Sequence, residues 1–423
     1  MKKTLLLFAA ASAALLLAAS CKKDDDSVKT VSATIKVDES GIAPEIEKPE
    51  SYSVTLTNST SGKAYTAETE NGSATVKGLV PGTYAVTASA SHSIGGGFSY
   101  RFSGSEASAS LIKDGAEITL NILAVKESPL IIKEAFIAGK AYDLTDPEDI
   151  WSGSTYFRDQ FWEIYNNSEE TVYADGVALA QILYANYGYS TIYQFDIPNP
   201  EKYVYVQTVW QIQGSGTDYP IKPGESFIVA QWATDHNAEH LANGHGVNTS
   251  SAEFEAIEGE GTAGWGASAF TITDGPAINM KRAVNAAGYN APQWLVSTED
   301  AALVMFRPSK ELDNENFLTA SNSEYTKARE IALDDVLDAV QWYAREDVWN
   351  DATKRNLPAV LDAGYAQFSA YCNKSIARKV AFTRADGTKV YQDTNNSSED
   401  FELVAPQLRR DGAKIPSWNT WAK

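Results

Sequence analysis

Residues 78–84 read GLVPGTY, and this stretch predicts a tight turn between two β-strands. Pro81 restricts its own φ angle and Gly82 tolerates backbone conformations that other residues rarely adopt, so the pair suits the centre of a turn. Segments rich in Val, Thr, Tyr and Ala lie on both sides, at residues 73–76 and 84–90. Such segments between Ser, Gly and Asn clusters are typical of strands, so the stretch indicates a β fold.

The same composition extends outward from this turn. Further strand-like segments lie at residues 31–37, 52–56, 98–102 and 117–123. In the last of them Ile118, Leu120 and Ile122 alternate with polar residues, which places them on one face of a strand. We therefore predict that residues 30–126 form a β-sandwich.

The turn resembles the G-L-x-P-G-x-Y turn of prealbumin-like and collagen-adhesin B-type sandwiches. This resemblance implies an immunoglobulin-like module that acts as a spacer. All ten tryptophans lie at Trp151 or later, so the composition changes after this module. Pro129 interrupts strand pairing near the change. We therefore place a second domain at residues 129–423.

The second domain is also predicted to be mostly β, with one or two short helices. Its strand-like segments lie at residues 130–137, 160–168, 172–179, 203–210 and 220–230. Their order resembles the lamin-tail immunoglobulin-like domain, in which an E-x-Y-N strand precedes a P-G-E strand. Glu163, Tyr165 and Asn166 match the first motif, and residues 223–225 match the second. The resemblance implies a larger, lamin-tail-like β domain.

Residues 330–343 carry two conflicting signals. Their apolar residues recur at helical spacing, at Leu333, Val336, Leu337 and Val340. This pattern favours a helix, whereas the resemblance of the chain to the bacterial family named below implies a strand and turn over residues 336–342.

Residues 1–20 have the three parts of a secretory signal peptide. Lys2 and Lys3 precede an apolar run rich in Leu and Ala, which is too short for a stable membrane span. Small residues lead directly into Cys21, and this junction resembles a lipobox, which implies that Cys21 is lipidated. Ordinary signal cleavage would instead leave a free thiol.

A charged tether follows at residues 21–29. Its Cys-x-Lys and two acids resemble the lipoprotein export signal of Bacteroidetes-type outer membranes, carried here by Lys23, Asp24 and Asp25. The resemblance implies a protein held in the outer-membrane bilayer by its lipid and displayed on the cell exterior.

Residues 393–401 read DTNNSSEDF and resemble the D-T-x-N-x-x-x-D-F closing segment of bacterial lamin-tail domains. Together with the lipobox and the preceding sandwich, they make the chain resemble a Bacteroidetes lipoprotein family, domain of unknown function 4876. The resemblance covers nearly everything after Cys21. It implies a fold and a location, but no activity.

The charge and cysteine content restrict the function further. The formal net charge of -20 argues against a nucleic-acid partner, because phosphates are neutralised by lysine and arginine. The chain has two cysteines, so lipidation of Cys21 leaves Cys372 without an intramolecular disulfide partner. We predict that Cys372 is a buried structural thiol.

A histidine-rich segment is the sharpest candidate for chemistry. His236, Glu239 and His240 fit H-x-x-E-H, the spacing of inverted zinc proteases, and His245 follows five residues later. On a helix the two imidazoles could hold Zn²⁺ while Glu239 polarises water. The segment instead lies between a predicted strand and a loop. A solvated loop is therefore the leading interpretation, with catalytic or non-catalytic metal binding as alternatives.

Acid and amide residues form two further sets near strand ends. The first is Asp159, Glu163, Asn166, Asn167 and Asp175, and the second is Asp393, Asn395, Asn396 and Asp400. Asp and Asn bond nearby backbone, so turn formation is the expected role. A Ca²⁺ site of oxygen ligands is the alternative, although the spacing matches no known calcium loop.

Four tyrosines cluster at irregular spacing: Tyr184, Tyr187, Tyr189 and Tyr193. Irregular spacing favours a loop, and loops carry contact surfaces, so these rings are predicted to bind a ligand such as a glycan or peptide. Burial as ordinary core rings is the alternative.

The sequence contains no G-x-S-x-G motif and no cysteine with a persuasive histidine partner. We therefore predict a non-enzymatic surface lipoprotein that binds an unknown ligand or serves as an accessory component. Family-level analogy adds a TonB-dependent outer-membrane transporter as its partner. The alternatives are a metal-binding or metal-dependent hydrolytic protein using His236 and His240, and a glycan adhesin.

Overall fold

The structure is a computed structural model that describes residues 29–141, 155–182, 202–238, 246–263, 270–288, 291–320, 323–344 and 356–422. Within these ranges, no helix is long and apolar enough to cross a membrane. The chain divides into two compact units. The first contains the described part of Met1–Ala90 together with Phe102–Leu123, and the second contains Ser91–Arg101 and Ala124–Lys423.

Eight strands lie between residues 31 and 127. They are β1 (Val31–Asp38), β2 (Ser53–Asn58), β3 (Ala64–Glu68), β4 (Ser73–Leu79), β5 (Gly82–Gly95), β6 (Phe98–Leu111), β7 (Ala116–Asn121) and β8 (Leu123–Glu127). β1 lies between β4 and β7, antiparallel to the former and parallel to the latter. The other strands form a five-stranded sheet in the order β3-β2-β5-β6-β8.

The GLVPGTY stretch connects these two sheets. β4 ends at Leu79 and β5 begins at Gly82, so the predicted turn and its flanking strands are confirmed. The Tyr84 hydroxyl donates a 2.7 Å hydrogen bond to the carbonyl oxygen of Val80 and closes the turn. Leu79 and Tyr84 are fully buried, which places the turn against the core of the first unit.

The described part of the second unit contains further strands and three short helical turns. The strands are β9 (Leu130–Phe136), β10 (Lys140–Ala141), β11 (Thr155–Tyr156), β12 (Phe161–Asn166), β13 (Val172–Tyr173), β14 (Ala178–Ile182), β15 (Tyr203–Gln211), β16 (Pro220–Ile221), β17 (Ser226–Ala230), β18 (Phe254–Glu255), β19 (Gly261–Ala263), β20 (Phe270–Ile272), β21 (Ile278–Asn279), β22 (Lys281–Asn285), β23 (Ala301–Phe306), β24 (Leu318–Ala320), β25 (Ser323–Ala332), β26 (Val336–Tyr343), β27 (Ala366–Gln367), β28 (Ser375–Arg378), β29 (Val380–Thr383), β30 (Lys389–Tyr391) and β31 (Phe401–Val404). The helical turns are the 3₁₀ segments Leu333–Asp335 and Arg410–Gly412 and the α-helix α1 (Ser397–Asp400).

Two large sheets dominate this unit. One has the order β21-β18-β17-β12-β9-β28-β31, and the other has the order β24-β25-β15-β14-β23-β26-β27, with β22 also paired to β15. Trp162 and Phe227 from the first sheet share one buried core with Trp210, Leu303 and Trp342 from the second. The sheets therefore pack face to face. The predicted mostly β, sandwich-rich fold is confirmed, while the finer lamin-tail similarity stays a prediction.

Strand β9 is buried along its whole length. Ile132 and Ala135 are three residues apart, yet both belong to the core between the sheets. This spacing arises because the pairing with β12 shifts register at Lys133, which forms a β-bulge. Lys133 is fully buried, and its Nζ donates to Glu163 Oε1 at 2.8 Å, so a buried charge receives a counter-charge.

The C-terminal segment contacts acids of the same sheet. Arg410 Nε donates to Glu134 Oε2 at 2.9 Å, and the Arg409 amide donates to Glu163 Oε2 at 2.8 Å. The Arg409 guanidinium also pairs with Glu253. Glu134, Glu163 and Glu253 are fully buried, so these contacts provide the partners that buried carboxylates require.

Arg378, on β28, links the two sheets through a buried guanidinium. Its Nη2 donates to both carboxylate oxygens of Asp338, on β26 of the opposite sheet, at 2.7 and 2.8 Å. Its Nη1 lies 3.1 Å from Asp393 and 3.3 Å from Asp400, and its Nε donates to the Ile132 carbonyl at 2.9 Å. Burial opposes the charge, but the three carboxylates more than offset it and raise the pKa of Arg378.

The helix favoured by the pattern over residues 330–343 is wrong. β25 is followed by a 3₁₀ turn at Leu333–Asp335, and β26 then occupies Val336–Tyr343, as the family resemblance implied. Val340 packs between the sheets, whereas Ala339 packs in a second cluster on the other side of its sheet. Because both faces of β26 are covered, its sequence lacks the period-two alternation of a half-exposed strand.

We predict that Asp338→Asn and Arg378→Met each lower the free energy of unfolding of the second unit by about 3–5 kcal/mol. Asp338→Asn removes the carboxylate that binds Arg378 through both oxygens, and Arg378→Met leaves the buried carboxylates without their cation. Urea unfolding followed by tryptophan fluorescence measures this loss, because all ten tryptophans lie at Trp151 or later.

The matched control is Glu169→Gln, which removes a 58% exposed partner of Arg384 and should change stability little. Losses no larger than that of the control in both core variants would contradict the prediction.

Candidate functional site

Several residues singled out in the sequence lie outside the described residues. They are Cys21, Lys23, Asp24, Asp25, Tyr184, Tyr187, Tyr189, Tyr193, Glu239, His240 and His245. The roles assigned to them therefore stay predictions. His236 and both sets of acid and amide residues do lie in the described part of the chain.

The predicted solvated loop is wrong at His236, which is fully buried and has both of its ring nitrogens engaged. Its Nδ1 lies 2.6 Å from the Tyr156 hydroxyl, and its Nε2 lies 3.0 Å from the Trp232 carbonyl oxygen. A carbonyl only accepts, so Nε2 carries the proton and Nδ1 accepts from Tyr156. Burial lowers the pKa of His236 to about 4, which keeps the ring neutral. This arrangement gives His236 a structural role and leaves it no lone pair for a metal.

The described residues hold no cluster of three or more His, Cys, Asp or Glu side chains arranged for a metal ion. Cys372 is half-buried rather than fully buried as predicted, and this partial burial raises the pKa of its thiol. A thiol that stays protonated is a poor nucleophile and a poor metal ligand. It also packs against the core between the sheets, in keeping with a structural role.

Members of the first acid and amide set bind other groups of the protein. Glu163 pairs with Lys133, as described above. Asp175 accepts three backbone amides of the loop at residues 216–219, at 3.0, 3.0 and 2.9 Å. Asn166 donates from Nδ2 to two backbone carbonyl oxygens. These residues therefore fix turns and strand ends.

The second set surrounds Arg378. Asp400 accepts from the amide and the hydroxyl of Thr394 at 2.8 and 2.7 Å and faces the guanidinium. Asn396 caps α1, and Asn395 has a φ of 54°, in the left-handed region that asparagine tolerates. The closing motif therefore has a structural role, because Asp393 and Asp400 face the guanidinium and Asn396 caps α1.

A pocket of about 160 Å³ opens in the eight-stranded sheet where β15 changes partners. β15 pairs with β25 over residues 203–206 and with β22 over residues 208–211, so Gln207 lies at the fork. The register of β15 against both β14 and β22 also shifts here. Bulges disrupt a sheet locally and are common beside functional sites. The lining residues are Gln181, Ile182, Gln207, Thr208, Trp210, Arg282, Ala287, Gln293, Trp294 and Leu295.

Arg282 supplies the charge in the pocket wall. Its side chain is 4% exposed, pairs with Glu258 at 2.8 Å and donates to the Ala291 carbonyl at 2.6 Å. Its guanidinium lies 5.0 Å from the centre of the Trp210 ring, which is a cation–π distance. The positive charge is therefore already balanced by protein groups.

The segment after β22 forms part of the pocket wall, and side-chain amides hold it in place. Gln160 donates to the Val296 carbonyl at 2.9 Å and accepts from the Val296 amide at 3.3 Å. Gln181 accepts another backbone amide of this segment at 3.0 Å. The rings of Trp294 and Trp162 lie 4.7 Å apart, centre to centre. The pocket wall is therefore fixed by the core of the sandwich.

No pocket residue stands out in the sequence. Trp210 falls in a predicted strand, but the glutamines and Arg282 belong to no motif. Their convergence depends on two shifts of strand register, and single-sequence patterns do not report register.

Asp159 and Glu255 are among the buried acids outside the pocket whose pKa values lie near neutrality. Asp159 Oδ2 accepts the Val247 amide at 3.0 Å, and Glu255 Oε2 accepts the Ala233 amide at 2.8 Å. Within the described residues, the second oxygen of each carboxyl has no hydrogen-bond partner. Burial raises the pKa of Asp159 and of Glu255 to about 7.

We predict that Tyr156→Phe lowers the free energy of unfolding by about 1–3 kcal/mol, because it leaves the buried Nδ1 of His236 without a donor. Urea unfolding measures the change. Unchanged stability would contradict the structural role, as would Zn²⁺-dependent stabilisation of the parent that is lost in His236→Gln.

A second prediction concerns pH. The ordinary pKa values of Asp159 and Glu255 are 3.8 and 4.5, below their folded values. At a pH between the unfolded and folded pKa values, both carboxyls are ionised in the unfolded chain and protonated in the folded chain. The contribution of Asp159 and Glu255 to the free energy of unfolding therefore falls as pH rises from about 4 to about 7. His236, with a depressed folded pKa, acts in the opposite direction below about pH 6.5.

The double variant Asp159→Asn, Glu255→Gln should therefore gain stability relative to the parent as pH rises from about 5 to about 8. Urea unfolding across this range measures the difference, with Glu169→Gln as the exposed control. A variant-to-parent difference that does not depend on pH would contradict the prediction.

Comparison with known proteins places this fold in a family. The family model described as Protein of unknown function (DUF4876) matches residues 222–407. A DUF4876 family protein from Bacteroides thetaiotaomicron, solved by crystallography, is 30% identical with a TM-score of 0.58, over 92% of this chain and 99% of that chain. A candidate adhesin from Bacteroides ovatus matches 76% of this chain and 89% of that chain, but its 10% identity and TM-score of 0.22 support no argument. No curated protein matches. The chain therefore belongs to the DUF4876 family of proteins of unknown function.

Proposed function

We propose that this protein is a lipid-anchored, non-enzymatic binding protein displayed on the outer face of the outer membrane. The observation that carries the binding role is the pocket of about 160 Å³ in the eight-stranded sheet. Its walls are fixed by the sandwich core, and its amide, hydroxyl and indole groups are of the kind that orient a bound molecule.

The lining of the pocket supports binding without catalysis. General acid–base catalysis needs a titratable side chain within hydrogen-bond reach of the reacting group. Within the part of the chain that the structure describes, the lining contains amides, one hydroxyl, two indoles, one guanidinium and aliphatic groups, but no carboxylate, imidazole or thiol. Asp159 and Glu255, whose pKa values lie near 7, do not line it. Metal-dependent hydrolysis is not favoured, because both nitrogens of His236 are engaged.

In this proposal Cys21 carries the anchor. Each buried CH₂ of an acyl chain adds about 0.8 kcal/mol, and stable anchoring takes two signals rather than one chain. Lys23, Asp24 and Asp25 then direct the protein outward. A TonB-dependent transporter belongs to the proposal as the membrane partner, by analogy at the level of the family.

We predict that the parent protein sediments with the outer membrane of the producing cells and is cleaved by protease added outside. Cys21→Ser should move to the soluble fraction, because it loses the acyl chains. Fractionation followed by immunoblotting measures both.

Cys372→Ser is the matched control and should stay with the membrane. Retention of Cys21→Ser at the parental level would contradict the anchor, and protection of the intact parent from protease would contradict outward display.

A further inference from the structure

We infer that the pocket takes a neutral, hydroxyl-bearing six-membered ring of the hexopyranose type. This inference rests on the proposed binding role and specifies the ligand class. Three properties of the pocket carry it: its volume, the charge of its wall, and the polar groups of its lining.

The volume limits the ligand to about one ring. The pocket measures about 160 Å³. An apolar cavity of about 150 Å³ in an engineered protein holds one benzene molecule. A single substituted six-membered ring therefore fits, whereas a longer oligomer would have to extend outside the pocket.

The wall favours a ligand without net charge. None of the described residues that line the pocket is a carboxylate, so a cationic group would find no counter-charge among them. Arg282 is the charged lining residue, and Glu258 already pairs with it at 2.8 Å. An anionic ligand would have to compete with Glu258 for this guanidinium, whereas a neutral ligand leaves the ion pair intact.

The polar groups favour hydroxyls. Gln293 is 3% exposed and Trp210 is fully buried, and both line the pocket. In the part of the chain that the structure describes, Gln293 Oε1 and Trp210 Nε1 have no hydrogen-bond partner. Both atoms have almost no accessible surface, so the polar groups that a ligand would meet are those of the half-buried Gln207 and Thr208, an amide and a hydroxyl that together offer donors and acceptors. A hydroxyl both donates and accepts, so a polyhydroxylated ring can satisfy both kinds of group.

The pocket lining also contains apolar residues that suit the faces of a pyranose ring. Ile182 and Leu295 line the pocket together with Gln207 and Thr208. A pyranose presents C–H groups on its faces and hydroxyls around its edge, which suits a mixed lining. A purely apolar ring would desolvate the amides without replacing their hydrogen bonds.

Calorimetric titration of the full chain tests the inference. The protein is held in lauryldimethylamine oxide, a detergent without a sugar headgroup. The neutral probes are the methyl α-pyranosides of glucose, galactose and mannose. Glucuronate and glucosamine test charge, and cyclohexylmethanol tests a ring with a single hydroxyl.

The variants are Gln293→Met and Gln207→Met, which remove amides while keeping side-chain length. Gln207 is only half-buried, so Gln207→Met still tests the pocket if Gln293→Met does not fold. Gln213→Met, on an exposed residue outside the pocket, is the matched control. Circular dichroism checks the folding of all three.

We expect saturable binding of at least one neutral pyranoside, with a Kd raised at least tenfold in Gln293→Met and Gln207→Met and unchanged in Gln213→Met. The charged sugars and cyclohexylmethanol should bind at least tenfold more weakly.

Tightest binding of a charged sugar or of cyclohexylmethanol, with the same dependence on the variants, would overturn the ligand class but leave the binding role. Absence of binding by every probe, or binding insensitive to both variants, would overturn the ligand class and the pocket-based role together. The membrane anchor is tested separately by Cys21→Ser.

Discussion

A buried guanidinium holds the second unit together. Arg378 reaches from one sheet of the sandwich to Asp338 on the other, and Asp393 and Asp400 complete its carboxylate partners. Burying an isolated charge costs several kcal/mol, and the cost is offset only when partners and hydrogen bonds are nearly complete. Here the remaining donor capacity is directed at backbone carbonyls, including that of Ile132 in β9. The relative position of the two sheets is thus restricted by directional bonds as well as by hydrophobic packing.

These buried ion pairs give several acidic residues of the sequence a structural role. Asp338 and Glu163, like the closing motif, offer carboxylates that could suggest catalysis or calcium binding, yet each is paired with a buried cation. The same pairing of buried acids with cations recurs on the outer face of the seven-stranded sheet, at the Lys133 bulge and at the C-terminal arginines. The pocket is built from different chemistry, where β15 exchanges one neighbour for another and neutral amides converge.

Local features can be predicted from the sequence where the backbone preference or the polarity of a few residues determines them. Pro81 and Gly82 specify a turn, and alternation along β7 specifies a half-buried strand. The same reasoning fails for strand β26, because both of its faces are buried and its apolar residues recur at helical spacing. The engagement of His236 by Tyr156 could not be predicted, since the partners lie 80 residues apart. The pocket could not be predicted either, because strand register creates it.

The most direct test of this account is a double-mutant cycle between Arg378 and Asp338. Free energies of unfolding are measured in urea for the parent, Arg378→Ala, Asp338→Ala and the double variant. A cross-sheet pair on which the sandwich depends should show a coupling energy of at least about 2 kcal/mol, with the double variant far less destabilised than the sum of the single variants. Additive losses, with a coupling energy below about 0.5 kcal/mol, would contradict the central role of this buried pair.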